Sequence, residues 1–269
     1  MNETVIPDAK RRGGRRERRD LRTRPDHAML PTLAGQLPLT EPMDKEQIER
    51  IDAASLDILE EVGVVFRDDI ALEDWRKAGA DVRGERVHLD RGLVKSLIKT
   101  IPSEITLHAR NPEKTVALGG RQSIFIPMTG APYLRDLEDV RRAPTLDDLA
   151  TFHKLAHMLP AMHSSAHHIV EPMDHPISHR HLRITHSSML YSDKTFMGMT
   201  TSGQNAEDVL DMCAILFGEE YLETHAVVTG NCNGNSPLVW DETMLSAMRA
   251  FNRRNQPVLC SPFVLGGAN

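Results

Sequence analysis

Four runs govern the reading of this chain: HSSAHHIV (163–170), TFMGMT (195–200), AVVTG (226–230) and VLCSPF (258–263). Their first residues lie 32, 31 and 32 positions apart. Each is short, and each runs into a polar or Gly/Pro-containing turn: EPMD, TSGQN, NCNGNS and LGGAN. Between them, segments near 176–191, 205–217 and 241–252 carry apolar residues at helical spacing. Strand, turn and helix repeating at this pitch make βα units. A chain that returns through a helix lays its next strand parallel to the last, so a parallel sheet is expected.

Upstream, Thr145 precedes Asp147 and Asp148 and opens a helix that stops before Pro160. Before residue 145 the pattern differs. DKEQIERIDAASLDILEEVG (44–63) spaces Ile48, Ile51, Leu56, Leu59 and Val62 for one helix face. Asp44 stands as its cap with Gln47 three residues on, and Gly63 closes it. Helices near 68–78 and 91–100 and strand candidates at 105–109, 116–118 and 123–127 complete a small α+β unit. The expected division is a basic, Pro-rich arm and linker at 1–42, an N-terminal α+β subdomain at 43–144, and a βα region at 145–269.

Composition excludes several classes. With 269 residues, 40% hydrophobic and 26% charged, the chain is neither disordered, collagenous nor coiled-coil. No apolar run nears the roughly 20 residues of a membrane helix, and the first residues lack the apolar core of a secretory signal. Cys213, Cys232 and Cys260 lie too far apart for a zinc knuckle or a disulfide framework, so a reducing cytoplasm is expected. Residues 10–24 hold nine basic side chains against Glu17 and Asp20, on a chain of net charge −6. That arm has no aromatic residue to stack on bases, so a disordered or partner-docking tail is expected, not nucleic-acid binding.

Thirteen histidines raise the question of a metal. His153 and His157 share a helix face, but the helix lacks the glutamate of a metalloprotease motif, and no metal is expected. Gly230 and Gly234 are four apart without a third glycine, which is not a dinucleotide fingerprint. Asn231, Asn233, Asn235 and Ser236 stand where a strand ends, either to bond a small uncharged ligand group or to make turns and caps. Tyr133, on the loop MTGAPY (128–133), either meets a cationic ligand or packs. Glu171 and Asp174 either attract a cation or stay solvated. Nucleophile elbow, P-loop and placed cysteine nucleophile are all missing from the sequence.

Five blocks together resemble the trimethylamine–corrinoid protein methyltransferase family: RRGGRRERRDLR (11–22), IERIDAASLDILEEVGVVFRDD (48–69), AGADVRGERVHLDRGLVKSLIKTIPSEITLHARNPEKTVALGG (78–120), MTGAPYLRDLEDVRRAPTLDDLATFHKLAHMLP (128–160) and NGNSPLVWDETMLSAMRAFNRRNQPVLCSPFVLGGA (233–268). The resemblance implies a (β/α)8 TIM-type barrel of which about the first four βα units are present, preceded by the α+β subdomain. It implies methyl transfer from trimethylamine, or a quaternary amine such as glycine betaine, to the cobalt of a separate corrinoid protein. The cobamide would sit on that partner, with no cofactor or metal on this chain, and Tyr133, Glu171, Asn231 and Asn235 would line the mouth of the amine site. Family members are close to twice this length. The matching expectation is that residues 1–269 alone do not turn over and self-associate through open sheet edges. A non-catalytic truncated paralogue or gene fragment, with at most a partner-binding role, is the alternative.

Overall fold

The computed structural model describes residues 28–35, 38, 40–234 and 238–262. After β1 (Leu33–Ala34), Asp44 caps α1 (Lys45–Asp57) in a reciprocal box with Gln47, as its sequence requires. One π turn, Ile58–Val62, carries the helix to Gly63 at φ 72°. A Cβ there would stand 2.6 Å from the Val87 carbonyl oxygen, so only glycine fits. There follow β2 (Val64–Arg67), α2 (Asp69–Lys77), β3 (Asp81–Arg83), β4 (Arg86–His88) and α3 (Arg91–Ile98). β5 (Glu104–Leu107), β6 (Val116–Gly119), β7 (Gln122–Ser123), β8 (Leu134–Arg135) and β9 (Arg141–Arg142) form small antiparallel pairs, β5 with β6, β1 with β7 and β8 with β9.

The second half alternates as its spacing demands: α4 (Leu146–Met158), α5 (Ile177–Tyr191), β10 (Phe196–Met197), α6 (Gly203–Phe217), α7 (Glu219–Thr224), β11 (Val228–Gly234), β12 (Val239–Asp241), α8 (Glu242–Arg253) and β13 (Val258–Pro262). Thr145 caps α4 in a second box, with Asp148. β10, β11 and β13 are parallel neighbours in that order, with Phe196 opposite Val228 and Cys232 opposite Cys260. The 163–170 run joins them through a parallel bridge between Ser164 and Thr195 and a bond from the Met197 N–H to the Ala166 carbonyl. All four runs are therefore parallel and adjacent in chain order.

Three expectations need correction. Residues 163–170 are not a regular strand. Ala166 sits at φ 57°, which breaks the extended ladder, and Ser164 Oγ takes over a bond to the Thr195 carbonyl. Residues 123–127 are not simply a strand of the N-terminal unit. The Phe125 carbonyl accepts from the His163 N–H, and Ala131 bridges in parallel to Val170, so this stretch flanks the parallel layer as a fifth segment. NCNGNS is not all turn either: β11 runs on to Gly234, and β12 crosses to become the fourth strand of the N-terminal sheet, parallel to β2. That sheet has the order β12-β2-β4-β3. Among the described residues no sheet closes on itself, so the architecture seen is mixed α/β with one parallel layer and several small sheets.

α8 ties the halves together. Leu245 belongs to the apolar core of the N-terminal sheet with Val64, Phe66, Leu72, Val87 and Leu89. On its other face Ala247, Ala250 and Phe251 enter the larger core with Ile184, Leu210 and Val228. Gly198 and Gly230 clear space for Phe251: a Cβ on either would stand 2.9 and 3.3 Å from its ring.

Candidate functional site

Parallel strands bring their C-terminal ends to one side, where side chains from successive loops converge. A cavity of about 300 Å³ opens there. Thr129 and Gly130 come from the flanking fifth segment, His167 and His168 from the bridged run, Met197–Thr201 from the end of β10, Asn231 and Asn233 from β11, and Met244 from α8. The strand ends are locked to one another, since Thr200 Oγ1 donates to the Asn231 carbonyl at 2.5 Å. Ser261 Oγ donates to Asn231 Oδ1 at 3.2 Å, which leaves the Asn231 amide nitrogen as the end of that side chain with donors to offer. Among the described residues, no carboxylate, lysine or arginine lines this cavity.

Histidine chemistry dominates one wall. His153, fully buried on α4, contacts Ser187 Oγ through Nδ1 (2.9 Å) and the His167 carbonyl through Nε2 (2.8 Å). His167 and His168 face each other through their Nδ1 atoms. His168 Nε2 lies 3.6 Å from Glu171 Oε2, and Arg180 Nη1 donates to Glu171 Oε1 at 2.7 Å. Burial drives the His167 pKa well below the usual imidazole range, reinforced by the neighbouring His168 and His153. Burial also lowers His168, against the pull of Glu171. Backbone bonds fix this wall: the Gly130 N–H donates to the His168 carbonyl and the Glu171 N–H to the Ala131 carbonyl.

Of the residues expected at the mouth, Asn231 lines the cavity. Glu171 stands behind His168, paired to Arg180, and reaches the cavity only through that histidine. Tyr133 is half exposed, with the Arg141 guanidinium 4.0 Å above its ring. Asn235 and Ser236, and the basic arm of residues 10–24, lie outside the described residues. His157 points elsewhere than His153, with Nδ1 3.2 Å from Asp193 Oδ1. Among the described residues no three His, Cys, Asp or Glu side chains gather as a metal set. Burial pushes the Cys232 thiol up to about 11, which leaves it protonated and a poor nucleophile. Sequence reasoning did not pick out His167, His168, Thr200, Met197, Met199 or Met244. A positional signal existed only for Met199 and Thr200, at the end of their run; His167, His168 and Met197 lie within runs, and Met244 lies in α8.

Known proteins similar to this chain fall in one family. The family model described as Trimethylamine methyltransferase (MTTB) matches residues 11–269. The chain is 40% identical over 236 residues to a glycine betaine methyltransferase of Desulfitobacterium hafniense (strain Y51), covering 87% of this chain and 49% of that protein. It is 27% identical over 224 residues to the proline betaine:corrinoid methyltransferase of Eubacterium limosum, covering 78% and 45%. It is 26% identical over 201 residues to a trimethylamine methyltransferase of Desulfitobacterium hafniense (strain DSM 10664 / DCB-2), covering 72% and 40%. The chain thus spans about half the length of these relatives. No described helix is long and apolar enough to cross a membrane.

Proposed function

Because the chain belongs to the trimethylamine methyltransferase family, we propose that it forms the amine-binding part of a methyltransferase that passes a methyl group from a methylated amine to the cobalt of a corrinoid protein. The observation that carries this reading is the uncharged cavity at the ends of the parallel strands. Its volume of about 300 Å³ lies at the small end of ligand sites, which suits a methylated amine and leaves the corrinoid on its own protein. The reduced cobalt supplies the methyl-accepting chemistry, and the protein supplies binding and orientation.

The residues suit that task. The thioethers of Met197, Met199 and Met244 are polarizable surfaces against which N-methyl groups pack. Side-chain oxygens of Thr200 and Asn233 add negative partial charge without a full counter-ion, so a cationic amine is held but not trapped. From a quaternary amine the nitrogen departs neutral with its bonding pair, and no proton donor is needed at that atom. The most similar of the three relatives above is named for glycine betaine, and betaines are the first substrates to test. The same proposal takes the five parallel segments as part of a (β/α)8 barrel, keeps the division at 1–42, 43–144 and 145–269, and puts Tyr133 and Asn235 near the outer mouth. It also places the protein in the cytoplasm and includes self-association.

Calorimetric titration of the chain with glycine betaine, proline betaine and trimethylamine tests the reading. Saturable binding of at least one is expected, weakened tenfold or more by Asn231→Leu. Absence of binding by all three overturns it.

A further inference from the structure

His167 is 5% exposed and lines the cavity, yet its Nε2 has no hydrogen-bond partner among the described residues. The other ring nitrogens of this histidine group have neighbours: His153 is bonded at both, the Nδ1 atoms of His167 and His168 meet each other, and His168 Nε2 lies 3.6 Å from Glu171 Oε2. A buried imidazole nitrogen without a partner, on a residue that lines a cavity, is a place for a ligand atom.

The neighbours dictate what that nitrogen offers. A contact between two ring nitrogens needs one N–H and one lone pair. Glu171 can only accept, so its carboxylate favours a proton on His168 Nε2. A neutral His168 then presents a lone pair at Nδ1, His167 donates its Nδ1–H there, and the unpartnered His167 Nε2 is left as an acceptor. One added proton reverses the set. It enters at His167 Nε2, the shared Nδ1 proton moves across to His168, and the positive charge comes to rest on the ring beside Glu171. His167 Nε2–H is now a donor with no partner in the protein.

We propose that His167 is the residue that reads the substrate's second functional group, and that it binds the carboxylate of a betaine as an N–H donor, with uptake of one proton by the His167–His168 pair. This rests on the cavity being the methylated-amine site. The charged and titratable groups around the pair are His153 from α4, Arg180 from α5 acting through Glu171, and Glu171 itself. Among the described residues, β10, β11 and α8 with their adjoining turns bring only Met, Gly, Thr and Asn to the cavity. Burial keeps both rings neutral in the free protein at pH 7, so the proton must arrive with the ligand.

The test is calorimetry on the full chain with glycine betaine and with tetramethylammonium, which has the methylated nitrogen but no carboxylate. Titrations run from pH 6 to 8.5 in buffers of different ionisation enthalpy. Betaine should take up close to one proton per molecule at the alkaline end, its Kd rising about tenfold per pH unit, while tetramethylammonium takes up none. Glu171→Gln, which removes the counter-charge of the imidazolium, should weaken betaine about tenfold more than tetramethylammonium. A flat betaine profile, or the same slope for both ligands, overturns the inference while leaving the cavity reading intact. Binding of neither ligand removes the cavity reading and the inference with it.

Discussion

The N-terminal sheet and the parallel layer bury different chemistry. The core under β2, β4, α2 and α3 is built of valine, leucine, phenylalanine and alanine. The interior after residue 145 holds fifteen of the seventeen buried polar side chains among the described residues, including His153, His163, His167, His181 and Lys194. An aliphatic core needs only volume and shape. A polar interior needs a partner for nearly every atom, which fixes directions as well as distances. Lys194 illustrates the demand: its ammonium donates to the Ala156, Leu159 and Met162 carbonyls at 2.8, 2.9 and 2.6 Å, and burial still pulls its pKa down to about 8. The first region contributes stability, while the second spends some of it on holding polar groups in place around a cavity.

Phe251→Ala strikes the contrast hardest. The ring is fully buried among Gly198, Gly230 and Val209, and glycine backbones offer no side chain to collapse into the void. A loss of about 3–5 kcal/mol in urea-unfolding stability is expected. A loss under about 1 kcal/mol would show that the parallel layer is not packed around this residue.

The seam between the regions comes next. Asp68 caps α2 by accepting from the Ala71 N–H at 2.7 Å, and it takes both guanidinium arms of Arg249, 181 residues away, at 2.8 and 2.6 Å. Asp68→Asn leaves the arginine facing a neutral amide and should cost about 3 kcal/mol. The pH dependence sharpens this. Burial alone would raise the Asp68 pKa, but Arg249 and the Ala71 and Ile70 N–H groups outweigh it and hold the carboxyl below its usual range. Its contribution is therefore complete above the unfolded value of about 4 and drains as pH falls through the folded one. The gap between wild type and Asp68→Asn should close in acid; a gap constant from pH 7 to 3 would contradict the pairing.

Smaller effects belong to local structure. Thr145→Ala removes the cap that accepts from the Asp148 N–H and should lower stability by about 1 kcal/mol, read as a shift in Tm. Replacing Tyr133 by Leu removes the ring beneath Arg141 at an exposed site and should change stability by about 0.5–1 kcal/mol at most. A larger loss would mean that the 128–133 loop supports the polar layer more than its exposure suggests.

Local signals were legible where local physics decides. The caps at Asp44 and Thr145, the stop at Gly63, and the strand pitch after residue 163 all follow from contacts within a few residues or one βα unit. The cavity was legible only in part. Asn231 stood out because a polar cluster follows a strand, whereas His167 and His168 sat inside what looked like the strand itself. The kink at Ala166 that turns them toward the cavity is sustained by the neighbouring backbone at Met197 and Thr195. No propensity of alanine announces it.

Taken alone, the residues determined where helices start and stop, that four runs repeat at one pitch, and which family their order resembles. Tertiary structure decided that β12 leaves its own βα unit to pair with β2, that residues 125–131 flank the parallel layer, and that Glu171 pairs with Arg180 and His168 instead of lining the cavity. The division has one physical cause. Caps and periodicity involve atoms a few residues apart, so the sequence nearby states them. Parallel pairing and buried polar networks join atoms tens to hundreds of residues apart, and their geometry exists only once the backbone between them has folded.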